Sequence, residues 1–252
     1  MRIVAIIPSR YGSTRFEGKP LAKIAGLPMI EHVYMRVRKA ERISEVWVAT
    51  DDKRILDTVR GFGGKALLTS SENRSGTDRA AEAAEKIGLA MDDIVVNVQG
   101  DQPLIDSGCL DELTAPFQDI ADLKMSTLAF KIINPRELTD PKDVKVVFDR
   151  EGFALYFSRS SIPCARDRDT DFDTFKHLGA YAYSRDFLET YRHLPEGRLE
   201  KIEKLEQLRV LEFGYRMKVV VTEYDSPEVD LPEDIRRVEA VLRGGFEATS
   251  KF

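Results

Sequence analysis

The chain is poor in the features that mark several large protein classes. It holds only two cysteines, Cys109 and Cys164, in 252 residues, and their spacing suits neither a disulfide framework nor a zinc ribbon. Such sparse cysteine fits a reducing cytoplasm. No stretch approaches the roughly 18 apolar residues of a membrane span. The opening run MRIVAIIPSR is too short in its apolar part for a signal peptide and reads better as a strand. There is no excess of positive charge: 38 Lys+Arg against 43 Asp+Glu leave a net charge of −5. A chain that grips nucleic acid over a broad surface is normally basic, so that partner is demoted. Internal repeats, low-complexity tracts and Pro/Gly-rich linkers are missing too. Secreted disulfide-rich, membrane-spanning and fibrous classes are thereby excluded.

What remains is globular, 42% hydrophobic and 32% charged. Apolar runs at Arg2–Pro8, Glu45–Thr50, Lys65–Thr69 and Ile94–Gln99 read as strands. Between them, Pro28–Glu41, Asp52–Phe62 and Thr77–Ile87 carry helical spacing. That alternation predicts an α/β fold with a mostly parallel sheet and helices on both faces. Further on, Met125–Ile132, Val144–Phe148, Ala154–Ser158 and Leu178–Tyr183 are closely spaced strands of a mixed or antiparallel part. Asp186–Tyr191 and Leu199–Phe213 read as helices, then Arg216–Val221 as a strand and Pro232–Arg243 as a closing helix. In the second of these helices Ile202, Leu205, Leu208 and Leu211 are the expected buried stripe. We expect a single domain over 1–252 with a mixed segment inserted near 135–185.

The first expected strand runs into Ser9-Arg10-Tyr11-Gly12-Ser13-Thr14-Arg15-Phe16-Glu17-Gly18-Lys19-Pro20. Ligands of open α/β sheets sit beyond the carboxyl ends of the strands, and this loop lies there. Arg10 and Arg15 offer planar forks of donors to phosphate oxygens, and Lys19 a point charge. Glycine lets backbone N–H groups approach closely. The pattern is neither a dinucleotide fingerprint nor a Walker loop, yet it points to a polyphosphate. Asp101 follows the strand Ile94–Gln99, and Asp230 follows a late strand. Two carboxylates at strand ends suit a hard cation such as Mg²⁺, which takes one or two carboxylates plus substrate phosphates. On residue type alone, Asp101 equally fits a turn, Asp230 a helix N-cap, and Ser75 or Thr77 a cap of the third helix.

The loop, with Pro20-Leu21 and Gly26-Leu27-Pro28-Met29-Ile30, resembles the opening of the sugar nucleotidylyltransferases. Ser75-Gly76-Thr77-Asp78-Arg79, Asn97-Val98-Gln99-Gly100-Asp101, Ala154-Leu155-Tyr156-Phe157-Ser158-Arg159, His177-Leu178-Gly179 and Leu205-Glu206-Gln207-Leu208-Arg209 narrow it. In that order, and over nearly the whole chain, they resemble the 3-deoxy-manno-octulosonate cytidylyltransferases. The resemblance implies a three-layer, Rossmann-like nucleotide-diphospho-sugar transferase fold, CTP and an acidic octulosonate as substrates, and Mg²⁺ as cofactor. It implies Lys19, Asp101 and Asp230 as catalytic residues, with Asp101 and Asp230 on the metal and Asp234 as an exposed helix residue. Arg10, Arg15, Lys19, Ser75, Gly76, Thr77, Arg79 and Gln99 are then nucleotide-binding. Arg159, Arg166, His177, Tyr181, Glu206 and Gln207 are sugar-binding. It further implies a homodimer contacting through the inserted segment, in the cytoplasm, supplying lipopolysaccharide synthesis. Some positions depart from the common pattern: Glu17 for Pro, Gln102 for Glu and Leu231 for Thr. Gln102 and Asp225–Asp230 look more like the branch that uses an 8-amino sugar. A cytidylyltransferase for another sugar acid, such as a nonulosonate, and a non-catalytic CTP-binding subunit stay as alternatives.

Overall fold

A computed structural model describes residues 1–12, 16–167 and 170–244. Arg15, with Ser13 and Thr14, therefore lies outside the described residues. The strands in chain order are β1 Ile3–Ser9, β2 Lys23–Ile24, β3 Leu27–Pro28, β4 Glu45–Thr50, β5 Lys65–Leu68 and β6 Ile94–Asn97. They continue with β7 Met125–Lys131, β8 Lys145–Phe148, β9 Ala154–Ser158, β10 Phe175–Ser184 and β11 Lys218–Thr222. The helices are α1 Met29–Val37, α2 Lys53–Gly61, α3 Gly76–Lys86, α4 Ser107–Thr114, α5 Pro116–Asp119 and α6 Pro135–Thr139. After these come α7 Arg185–His193, α8 Arg198–Glu203, α9 Gln207–Glu212 and α10 Asp234–Arg243.

The main sheet runs β11-β7-β10-β6-β1-β4-β5. Its described pairings are parallel except those of β10, which is antiparallel to β6 and to β7. Strands β8 and β9 form an antiparallel hairpin that joins the row through the start of β10. Side chains of a strand alternate between faces, and β1 shows the result. Ile3, Ala5 and Ile7 enter one core with α1, α2 and α4. Ile6 enters the other with the alanines of α3 and the aromatic side of α7. The sheet is thus the middle of three layers. A third, smaller cluster of Ile24, Met29, Leu104, Val229 and Val238 seats α10 over the β2–β3 turn.

Two expected elements differ. Leu199–Phe213 is not one helix. It breaks at Lys204, whose backbone is left-handed at φ 54°, giving α8 and α9. Leu205 and Leu208 are buried as the stripe required, but Ile202 is 67% exposed because it precedes the break. Asp234 is not a plain surface residue. Its Oδ2 accepts from the backbone N–H groups of Asp230 and Leu231, each at 2.9 Å, fixing the turn before α10.

The segment around β8 and β9 is tied down by cations rather than by apolar packing alone. Lys145, fully buried, donates to the carbonyls of Asp140 and Asp143. Lys176 Nζ bridges Glu137 and Asp225 at 2.7 and 3.0 Å.

Candidate active site

The ends of β1 and β6 and the N-terminus of α3 converge on a cavity of about 240 Å³. Its walls include Ser9, Arg10 and Lys19 from the first loop, Ser75, Gly76 and Arg79 from α3, and Gln99 and Asp101 from beyond β6. Each element arrives for a local reason. Ser75 caps α3 by accepting from the Asp78 N–H at 3.1 Å. Gly76 allows the helix to abut β1, since a Cβ there would stand 3.2 Å from Pro8 Cγ. Gly100 passes still closer: a Cβ would lie 2.8 Å from Ser9 Oγ. The cavity thus offers exposed Arg10, a helix N-terminus and backbone at close range, all suited to an anion.

Lys19 does not lie free along this wall. Its Nζ donates to Asp101 Oδ2 at 2.7 Å and to the Val229 carbonyl at 2.9 Å, and it stands 3.7 Å from Asp230 Oδ1. The two carboxylates thus meet around one ammonium. The long segment after β11 is held there by the Val229 N–H, which donates to the Asp101 carbonyl at 2.9 Å. Asp101 Oδ1 is buried and has no hydrogen-bond partner. An orphaned carboxylate oxygen next to a second carboxylate fits a divalent cation whose other ligands come from phosphate and water. Among the described residues no group of three metal-ligating side chains exists, so protein alone would not complete the shell.

Glu228 is a functional candidate that sequence reasoning missed. It is exposed by area, yet its carboxylate faces the site: Oε1 is 3.4 Å from the position a Cβ on Gly179 would take. Desolvation and the nearby charges of Asp101 and Asp230 push its carboxyl up to about 8. The signal was present as the spacing Glu228-Val229-Asp230, which puts two acids on one face of an extended segment. Gln102 sits beside it, fully buried, donating to the Leu178 carbonyl at 2.6 Å.

A second cluster lies on the other side of β6. His177 and Tyr181, four residues apart on β10, keep one face by strand alternation across the register shift between them, where Gly179 has φ 69°. Their rings stand 5.2 Å apart, and the Phe157 ring meets His177 edge-on. His177 Nε2 pairs with Thr127 Oγ1 at 2.8 Å. Burial holds this imidazole neutral, with its pKa down to about 3. Tyr181 donates to Gln207 Oε1 at 3.1 Å. Gln207 Nε2 and Glu206 Oε2 are buried without partners, as befits groups that await a polar ligand. Burial also raises the Glu206 carboxyl, against the hydrogen bond from Thr77.

Four of the expected site residues already have other partners or lie away from the cavity wall. Thr77 is fully buried and absent from the cavity wall; its Oγ1 donates to Glu206 Oε1 at 3.0 Å and so links α3 to α9. Arg166 is exposed in its loop, and no described contact brings it to either cluster. Arg159 turns inward. Its Nε, Nη1 and Nη2 donate to the carbonyls of Glu203, Pro141 and Lys204, so it secures the α8–α9 break rather than presenting an open fork. Arg79 reaches the cavity wall, but its guanidinium is committed to Thr69 Oγ1 at 2.5 Å and Asp51 at 2.8 Å. Glu17 is exposed and acts electrostatically on Arg54, away from the wall.

Comparison with known proteins gives a consistent result. Residues 4–219 match the family model described as cytidylyltransferase. The chain is 64% identical over 242 residues to a 3-deoxy-manno-octulosonate cytidylyltransferase of Desulfosudis oleivorans, covering 96% of this chain and 98% of that protein. It is 55% identical over 243 residues to an 8-amino-3,8-dideoxy-manno-octulosonate cytidylyltransferase of Shewanella piezotolerans, covering 96% and 99%. Among solved structures, a CMP:2-keto-3-deoxy-manno-octonic acid synthetase complexed with CTP superposes with a TM-score of 0.91 at 41% identity, covering 97% of this chain and 99% of that one.

Proposed function

The chain belongs to the cytidylyltransferase family, and from that premise we propose that it transfers CMP from CTP to the anomeric hydroxyl of 3-deoxy-manno-octulosonate, releasing pyrophosphate. The observation that carries this reading is the meeting of Lys19, Asp101 and Asp230 beside the cavity lined by Arg10, Ser75, Gly76 and Gln99. The hydroxyl oxygen forms a bond to the α-phosphorus as the bond from that phosphorus to the β-phosphate oxygen breaks. Such chemistry is mostly positioning and electrostatics. Arg10 and Lys19 offset the charge on the departing pyrophosphate. Gln99 has both donor and acceptor for a base edge. The Tyr181–Gln207 pair and the orphaned oxygen of Glu206 hold sugar hydroxyls. Asp101 and Asp230 would hold Mg²⁺, which when bound would supply positive charge beside the α-phosphate and favour ionisation of the attacking hydroxyl. Neither cysteine takes part: burial pushes the Cys109 thiol far up, and Cys164 lies exposed in the loop after β9.

The same reading places the enzyme in the cytoplasm, as a supplier of activated sugar for lipopolysaccharide. No described helix is long and apolar enough to cross a membrane. It also makes the enzyme a homodimer. Leu155 on β9 and Ile133 just before α6 are exposed large apolar residues at or beside the inserted segment, which suits a partner surface.

The 8-amino sugar is the second reading. It is favoured by Gln102 and by relatives such as the Shewanella piezotolerans protein that bear that name. The deciding experiment measures pyrophosphate release from CTP and Mg²⁺ with the octulosonate, its 8-amino analogue and a sialic acid in parallel. Turnover is expected with an octulosonate. Preference between the first two fixes the branch, turnover with sialic acid alone reassigns the sugar, and silence with all three rejects catalysis.

A further inference from the structure

The ammonium of Lys19 occupies the space between the carboxylates that a divalent cation would need. We infer that Lys19 is the resident counter-ion of the Asp101–Asp230 pair in the empty enzyme, and that it competes with the metal until a triphosphate draws it away. The inference rests on the nucleotidyl-transfer reading above.

The geometry carries it. Nζ has three N–H donors, and it has three oxygen neighbours: Asp101 Oδ2 at 2.7 Å, the Val229 carbonyl at 2.9 Å and Asp230 Oδ1 at 3.7 Å. A small cation takes oxygens at about 2.0–2.1 Å. The ammonium and the metal would share the same two carboxylates, three positive charges against two negative ones, so each weakens the other's hold. Entry of the metal is therefore favoured when Nζ leaves.

The backbone of Lys19 is fixed, so a change of partner falls to its side chain. The Gly18 N–H donates to the Tyr11 carbonyl at 2.9 Å, and the Ala22 N–H to the Lys19 carbonyl at 3.1 Å. The four-carbon stem gives the reach. Lys19 and Arg10 line the same cavity, so phosphates placed there are the nearest anions for a displaced ammonium. The consequence is a coupling between two ligands. Without nucleotide, Lys19 offsets part of the charge on the two carboxylates and keeps the metal weak. With a triphosphate present, Lys19 moves onto it and the pair is released for the metal. Coupling of this kind is reciprocal.

Mn²⁺ binding tests it directly, read by electron paramagnetic resonance or calorimetry without sugar and without turnover. Nucleotide-free Lys19→Met is expected to bind Mn²⁺ about tenfold tighter than the wild type, within the usual range of coupling factors. Lys19→Gln serves equally if Met disturbs the loop. Lys19→Arg retains the charge and is expected to bind Mn²⁺ no tighter than the wild type. Metal-free CTP binding is expected to weaken in Met and Gln variants. Unchanged or weaker Mn²⁺ binding in both neutral variants overturns the competition, as does equal tightening in the Arg variant. Loss of the parent reading looks different: the wild type would then bind no CTP under any metal condition.

Discussion

The two halves of the site recognise their ligands by different physics. The nucleotide half is an open cavity built from strand ends, a capped helix and glycines that bring backbone close. Its charges, Arg10, Lys19 and Asp101, are partly exposed. The other half is more deeply buried. His177, Tyr181, Thr127 and Gln207 form neutral hydrogen bonds among aromatic rings, with polar atoms left unpaired. Charge that must be exchanged with solvent and metal stays near the surface, where desolvation is mild. The hydroxyls of the sugar can be read by buried groups, whose unpaired state penalises a ligand lacking the matching hydroxyl.

That contrast breaks first in stability. Arg209 Nε and Nη2 clasp buried Glu200 at 2.7 and 2.5 Å beneath the α8–α9 break. Arg209→Ala leaves an uncompensated buried carboxylate and is expected to cost about 3–5 kcal/mol in denaturant unfolding. Arg79→Ala on the nucleotide half should cost clearly less, because Asp51 is 22% exposed and can turn to water. Equal losses would erase the distinction. Next is catalysis. Asp101→Asn keeps the shape of the side chain and the backbone bond to Val229. It is expected to lower kcat about 10²–10³-fold, as loss of one group stabilising a charged transition state does, with melting temperature little changed. Near-normal Mg²⁺-dependent turnover would remove Asp101 from the metal.

The same contrast explains what could be read in advance. The nucleotide half is written locally. Strand β1 flows into its loop, Ser75 caps the helix it precedes, and Gly100-Asp101 follows β6 directly. The apolar alternation of β1, β4 and β6 also made the parallel sheet legible. The buried half draws on β7, β10 and the start of α9, far apart in sequence. The break at Lys204 was hidden because its neighbours Ile202, Leu205, Leu208 and Leu211 keep a helical period that only one left-handed residue interrupts. The bond from Thr77 to Glu206 was not legible because sequence cannot say which side of α3 faces α9. The carbonyl partners of Arg159 could not be read in advance because they lie on two distant segments.

The buried half also predicts a pH dependence. An ordinary imidazole titrates near 6.5, whereas burial holds His177 at about 3. Between those values the unfolded chain binds a proton that the folded protein refuses, so stability rises with pH in that window. The contribution is complete above about 6.5 and is lost as pH falls toward 3. At pH 5 the loss amounts to about 2 kcal/mol at most, at 1.36 kcal/mol per unit, and solvent at the ring edge reduces it. Unfolding of the wild type and His177→Gln, compared from pH 7 to 5, should show the steeper decline in the wild type. Parallel slopes would mean that the ring is wetter than its aromatic neighbours suggest.

The smallest effect separates the halves most cleanly. Tyr181→Phe removes one hydroxyl and nothing else, leaving Gln207 Oε1 without its donor at 3.1 Å. An unsatisfied buried acceptor costs about 1–3 kcal/mol, but Gln207 can meet part of this by turning its amide toward the sugar. The expectation is a rise in the sugar KM of about tenfold, at the lower end of that range, with the CTP KM unchanged. Phe keeps the ring against His177 and Tyr183, so packing is not the variable. A shift in both KM values would mean that the two halves communicate, with the Thr77–Glu206 bond as the link between α3 and α9. Thr77→Val, which deletes that bond at nearly constant volume, would then reproduce the shift.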